Sequence, residues 1–260
     1  MKIIVLVKQV PDTYGERTLD PTTGWIDRAG SDAVIDEIDE RALEVALSYK
    51  DAHKGTEVVV LSMGSKAVTV GLRKGLAMGA DSAVHVLDAA LEGADAGWTA
   101  AAIAAALTST GFDLVIAGNE STDGGGGVVP AMVAEHLGLA HMTFLESVDI
   151  SADQVAGERA TGQGTLRVHA SLPAVISITE NLPEARFPNF RGIMSAKKKP
   201  FRVASLGDLG IDPAVTFAGV GRSVVLQATK RPARTAGTKI VDEGNAGVEL
   251  ADFLVAGHLI

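Results

Sequence analysis

Over the first 140 residues, short β-branched runs alternate with stretches of helical periodicity. Residues 3–7, 57–61 (EVVVL), 83–87 and 114–117 (LVIA) are continuous apolar or nearly apolar runs. Runs of that length fit strands buried on both faces of a parallel sheet. Between the first two, Ile38, Ala42, Val45, Ala46 and Tyr49 recur at i, i+4, i+7, i+8 and i+11, which predicts a helix over 36–53. A second helix is expected from a Ser65 cap to Met78, ended by Gly79. A third is expected over 98–108, and a fourth over 128–137, ended by Gly138. Strands separated by helices of this size predict βαβ units with right-handed crossovers.

The pattern changes near residue 147. Strand candidates at 148–150, 155–160, 165–170 and 174–178 follow one another without helices. Residues 165–169 alternate polar and apolar, as an antiparallel strand with one wet face does. After Pro183 the chain turns irregular, and 203–260 has only a weak core of its own, at 224–226 and in a late helix near 248–255. The expected architecture is therefore α/β: an open, mostly parallel, doubly wound sheet with an added antiparallel segment and a C-terminal arm. Residues 1–202 form the α/β domain, with a protruding loop at 183–199. Residues 203–260 form the arm, which wraps its own domain or docks on another chain.

Composition narrows the chemistry. The chain has 260 residues, 47% of them hydrophobic but only 4% aromatic, so the core must be aliphatic. The formal net charge of −9 argues against a general binder of nucleic acid or anionic membrane. With no cysteine at all, disulfides, thiolate metal sites, cysteine nucleophiles and cysteine-ligated clusters are excluded. The apolar run after Met1 is too short for a signal peptide, and no run of about 18 apolar residues occurs, so a cytoplasmic protein is expected. Charge is segregated: residues 186–202 carry six basic residues and no acid, whereas 32–44 carry six acids and one arginine.

The sharpest local signal is Gly118-Asn119-Glu120-Ser121-Thr122-Asp123-Gly124-Gly125-Gly126-Gly127-Val128, between a strand and a helix. Four glycines at such a turn let backbone N–H groups approach a ligand, and the helix N-terminus favours an anion, so the turn suits phosphate. The alternative is a capped turn with no ligand. Its spacing is neither the Rossmann fingerprint nor the P-loop. Three further loops should lie at the carboxyl ends of the strands: Lys8-Gln9-Val10-Pro11-Asp12, residues 36–39, and Ser62-Met63-Gly64-Ser65. Each alone also reads as an ordinary turn.

No catalytic constellation emerges. His53, His85, His136, His141, His169 and His258 lack metal-ligand spacing, and no serine elbow is present. Glu40 and Glu44 read as surface charge, Met132 and Met142 as core filler, and Lys197-Lys198-Lys199 as a solvated helix end. Phe187, Phe190, Ile193 and Met194 sit among breakers and arginines. They are either an interface anchor or a satellite core.

Several pieces together resemble the beta subunits of the electron transfer flavoprotein family over nearly the whole chain. They are Val5-Leu6-Val7-Lys8-Gln9-Val10 with Asp12; Gly75-Leu76-Ala77-Met78-Gly79-Ala80-Asp81 followed by Val84-His85-Val86; and Asp113-Leu114-Val115 leading to Gly118 and Asp123. Further along come Leu172-Pro173-Ala174-Val175, then Arg186-Phe187 to Ile193-Met194-Ser195-Ala196-Lys197-Lys198-Lys199, and a tail from Pro232 and Arg234 to Lys239.

The resemblance implies an adenine-nucleotide-binding domain of the adenine nucleotide alpha hydrolase type. It implies AMP in this subunit, an alpha subunit carrying FAD on which the arm packs, and no catalytic residues of its own. Electrons would pass from dehydrogenases, often acyl-CoA dehydrogenases, to a quinone-linked oxidoreductase. The nucleotide contacts implied are Leu6, Asp36, Ile38, Asp39, Met63, Gly118, Asp123, Gly124, Gly125, Gly126, Gly127, Val128 and Val129. The docking residues implied are Phe190 as the anchor, with Arg191, Ile193, Met194 and Lys197, while Glu158 falls where the flavin domain is touched.

The chain also departs from its relatives. Asp36-Glu37-Ile38 stands where many relatives carry an aromatic, and Thr13 stands where many have tyrosine. Gly125, Gly126 and Val128 replace the Asp, Thr and Gln of relatives whose beta subunit holds a second FAD, which favours AMP. The other readings are a stand-alone nucleotide-binding stress protein and an ATP-hydrolysing enzyme of the same fold. Lys8-Gln9-Val10-Pro11-Asp12-Thr13 lacks the phosphate loop that such a hydrolase needs after its first strand.

Overall fold

The computed structural model describes residues 1–216 and 223–260. Strand β1 (Lys2–Leu6) leads through a hairpin, β2 (Gln9–Pro11) and β3 (Ala33–Ile35), into helix α1 (Glu37–Ala52). Next come β4 (Glu57–Met63), α2 (Val68–Met78), β5 (Ser82–Val86), α3 (Ala96–Thr110), β6 (Leu114–Gly118) and α4 (Val129–Leu137). Strand β7 (Ala140–Leu145) precedes a meander of β8 (Ser147–Ile150), β9 (Gln154–Thr161) and β10 (Gly164–Ser171), and β11 (Ala174–Ile178) follows. The chain closes with α5 (Phe190–Ala196), β12 (Phe201–Ala204), α6 (Pro213–Thr216) and α7 (Ala246–Ala256).

The main sheet has seven strands in the order β12-β5-β4-β1-β6-β11-β7, and every neighbouring pair is parallel. From β1 the chain steps outward to β4 and β5, then returns to place β6 on the other side of β1. The switch point therefore lies between β1 and β6, where an open α/β sheet leaves a crevice beyond its carboxyl ends. Alternation along each strand divides the core in two. Ile3, Val5 and Val60 face α1 and α2, whereas Ile4, Leu61 and Val115 face α3 and α4. Each fully buried Leu or Ile in these layers stabilises the fold by roughly 1.5–3 kcal/mol.

The expected α/β class holds, with four local corrections. Residues 174–178 are not part of the antiparallel group: β11 lies inside the parallel sheet, and all five of its residues are buried. Strand β7 was missed because only two of its six residues are buried, which hides the apolar run. Ser65 does not cap α2 with its side chain. Its carbonyl accepts from Val68 N, and the helix begins there. Strand β12 pairs with β5, and Leu206 and Ile211 are buried against the α3 layer, so the sheet and its core continue past residue 202. Among the described residues of the arm, α7 has no buried residue.

Candidate nucleotide crevice and docking helix

Asp36 and Asp39 shape the crevice from the first turn of α1. Both are buried. Asp36 is the helix N-cap: one carboxylate oxygen accepts from Ile38 N at 3.0 Å, and the other accepts from the Thr122 N–H and hydroxyl, both at 2.7 Å. Asp39 ties the segment just after β1 to the end of β6, accepting from Lys8 N at 2.7 Å and from Gly118 N at 2.9 Å. This approach leaves no room for a side chain at residue 118: a Cβ there would lie 2.6 Å from Asp39 Oδ1.

The loop 121–123 is held on every side. Lys8 Nζ donates to Ser121 Oγ at 2.9 Å and to Asp123 Oδ1 at 2.7 Å. Arg28 pairs with the other oxygen of Asp123 at 3.1 Å. Arg17 donates to the Thr122 carbonyl, to its hydroxyl and to Pro11 O. Burial pushes the Asp123 carboxyl up, but Lys8, Ser121 and Arg28 outweigh it and hold it below the usual carboxylate range. Beyond this cage the glycines are bare. Gly125 and Gly127 adopt φ of +56° and +64°, which L side chains rarely do. Among the described residues, the N–H groups of Gly126, Gly127 and Val128 donate to no protein acceptor. At the strand end, the buried Asn119 Oδ1 also has no partner. Unpaired N–H groups on a rigid, open loop form a concavity for an anion, and a buried unpaired amide oxygen suits a polar ligand group.

The structure thus brings Leu6, Gly118, Asp123 and the glycine run to the same end of the sheet, with Met63 at the end of β4. It ties Asp36 and Asp39 to the protein's own backbone N–H groups and the Thr122 hydroxyl, so they position the loops. Sequence reading missed Arg17 and Arg28, whose segment carries no periodic signal. It also missed Phe144, a bulky residue at φ +59° where β7 bulges against β11. A Cβ at Gly127 would lie 3.1 Å from the Phe144 ring, so this aromatic backs the glycine loop.

Asp39 has a pH signature. Burial and the neighbouring Asp36 raise it, the Lys8 and Gly118 N–H groups and the Lys8 charge lower it, and it ends at about 7. That lies above its value in an unfolded chain, so between about pH 4 and 7 the folded state binds more protons. The contribution is complete below about pH 4 and is lost as pH rises through 7. Asp39→Asn cannot titrate. Its urea midpoint is expected to fall less than the wild type's between pH 4.5 and 7.5, and parallel profiles would contradict this.

The second candidate surface is α5. Phe187 is 94% exposed, Phe190 79%, Met194 57% and Ile193 49%, so they are not a satellite core. Arg191 and Lys197 are exposed beside them. Lys199 is not solvated as expected: its ammonium donates to Leu76 O at 2.8 Å and Ala80 O at 2.6 Å, at the end of α2. Glu40 and Glu44 are likewise not idle surface charge, because they pair with Lys74 and Arg186. No group of three or more His, Asp or Glu among the described residues could hold a metal ion.

A family model described as electron transfer flavoprotein domain matches residues 23–209. The chain belongs to the electron transfer flavoprotein family. It is 49% identical over 264 residues to the electron transfer flavoprotein subunit beta of Mycobacterium tuberculosis, covering 99% of each chain. It is 48% identical to the corresponding subunit of Mycobacterium leprae, again over 99% of each. It is 34% identical to the caffeyl-CoA reductase-Etf complex subunit CarD of Acetobacterium woodii, over 98% of this chain and 97% of that one. These full-length matches support the beta-subunit role. No helix among the described residues is long and apolar enough to cross a membrane.

Proposed function

We propose that this chain holds AMP in the crevice between β1 and β6 and forms a heterodimer with an alpha subunit that carries FAD. The pair takes electrons from dehydrogenases, acyl-CoA dehydrogenases among them, and passes them to a quinone-linked acceptor in the cytoplasm. The observation that carries the nucleotide assignment is the caged loop 121–123, running into bare N–H groups at 126–128. These groups would hold the phosphate, and Asn119 would meet another polar group of the nucleotide. A loop fixed in advance by Lys8, Arg17, Arg28 and Asp36 loses little conformational entropy on binding.

The chain's own contribution to electron transfer is positional. The flavin, when bound by the heterodimer, supplies the redox chemistry. This subunit supplies a docking surface, and α7, with Val248 and Phe253 exposed, supplies apolar area for the alpha subunit. A carrier must release its partners quickly, and a small apolar anchor inside a charged rim suits that demand.

Purification from the native source tests the composition. The expected result is a yellow complex with a larger chain in equal amount, releasing FAD and AMP in equal amounts on denaturation. Two FAD per pair would move the second nucleotide site to flavin. A colourless chain without a partner would overturn the reading.

A further inference from the structure

Helix α5 is short, and the chain leading into it has no regular structure. Residues 183–189 contain two prolines and run over the outside of α1. Their aromatic residue points to solvent, and besides the packing of Ala185 on the core and a 4.0 Å pair between Arg41 and the exposed Glu184, polar ties must fix their course. The far end of the helix is secured: Arg73 donates to Ala196 O at 2.7 Å, and Lys199 caps α2 just beyond. A Cβ at Gly192 would lie 2.2 Å from the Ala77 carbonyl, so α5 rests directly on α2 backbone. The near end has a different tie. Arg186 places Nε and Nη2 on the two oxygens of Glu44, each at 2.8 Å. Its backbone N–H adds a third bond to Glu44 at 3.0 Å, and Nη1 reaches Asp51 at 2.8 Å.

We propose that Arg186 is a positioning residue for partner docking: its forked grip on Glu44 and Asp51 of α1 fixes the segment from which Phe187 and Phe190 project. The inference rests on the reading of α5 as the dehydrogenase-docking surface. Three points support it. The Glu44 side chain is only 13% exposed, so the pair is partly shielded from water and salt. The geometry is the two-pronged one that guanidinium forms with carboxylate and that lysine cannot reproduce. The grip also lies immediately before Phe187, the more exposed of the two aromatics. A fixed approach keeps the anchor's side of the interface ordered before contact, which lowers the entropy lost on docking. Glu44 and Asp51 are also the acidic partners that keep Arg186 occupied, whereas Arg191, Lys197 and Lys198 are exposed and pair with no acid among the described residues.

The test uses the complete heterodimer and its dehydrogenase, with the flavoprotein as the varied substrate. Arg186→Lys and Glu44→Gln are expected to raise KM for the flavoprotein by about threefold to tenfold, with kcat and bound nucleotide unchanged. Asp51→Asn, at the exposed end of the grip, should give a smaller rise in the same direction, and it reports even if Glu44→Gln does not fold. Wild-type KM in these variants, while Phe190→Ala raises it, would overturn the positioning role and leave the docking surface standing. A fall in kcat with KM unchanged would also overturn it. Wild-type KM in Phe190→Ala would instead remove the docking reading, and the positioning role with it.

Discussion

Phe190→Ala is expected to slow reduction of the flavoprotein by its dehydrogenase at least about tenfold at limiting concentration, with the melting temperature unchanged. At 79% exposure, Phe190 contributes little to folding, so its truncation leaves no cavity in the chain. The ring's value lies in the partner's pocket, where losing a central anchor costs about 2 kcal/mol or more. Bound nucleotide, the subunit complex and the flavin spectrum should be unaffected, because α5 lies outside the crevice and on the far side of α2. A buried aromatic would behave in the opposite way, losing about 3 kcal/mol of stability on truncation. Thermal melting and stopped-flow reduction of one variant separate the two. Lowered stability with normal reduction kinetics would contradict the docking role.

The elements that were legible in the sequence are those with one dominant local cause. Buried parallel strands such as β4 and β6 are continuous apolar runs because both faces are covered. Helix α1 could be placed by its period, and α4 by its glycine ending. Strand β7 was not legible, since its exposed positions carry no pattern. Strand β11 was legible as a strand at 174–178 but not in its placement, because its sheet neighbours are distant in sequence and its approach through Leu172-Pro173 follows an antiparallel meander. The glycine run announced the site because bare backbone has a compositional signature. The cage around it did not. Lys8 and Asp123 are separated by 115 residues, Asp36 and Thr122 by 86, and Arg17 and Thr122 by 105. Such pairs appear only once the switch point brings β1 and β6 together. The acidic first turn of α1 is instructive in this respect. The sequence offers residues 36–39 as a candidate ligand loop or an ordinary turn, whereas in the structure Asp39 is buried and, through two backbone donors, acts as a brace.

The most direct test of the central claim is the affinity of this chain for AMP, measured by titration calorimetry with wild type and Gly126→Val. Residue 126 is suited to it because a Cβ there meets nothing within 4 Å, so the free protein can accept the larger side chain without strain from its neighbours. The added isopropyl group would occupy the space through which a phosphate reaches the N–H groups of 126–128. Loss of those bonds should weaken binding at least about tenfold, and more if the phosphate is displaced altogether. Gly162→Val in the β9–β10 turn, also open within 4 Å, serves as the control and should bind as wild type does. AMP binding that drops only in Gly126→Val is the predicted result. Equal AMP affinity in all three proteins would contradict the assignment of the glycine loop as the nucleotide site.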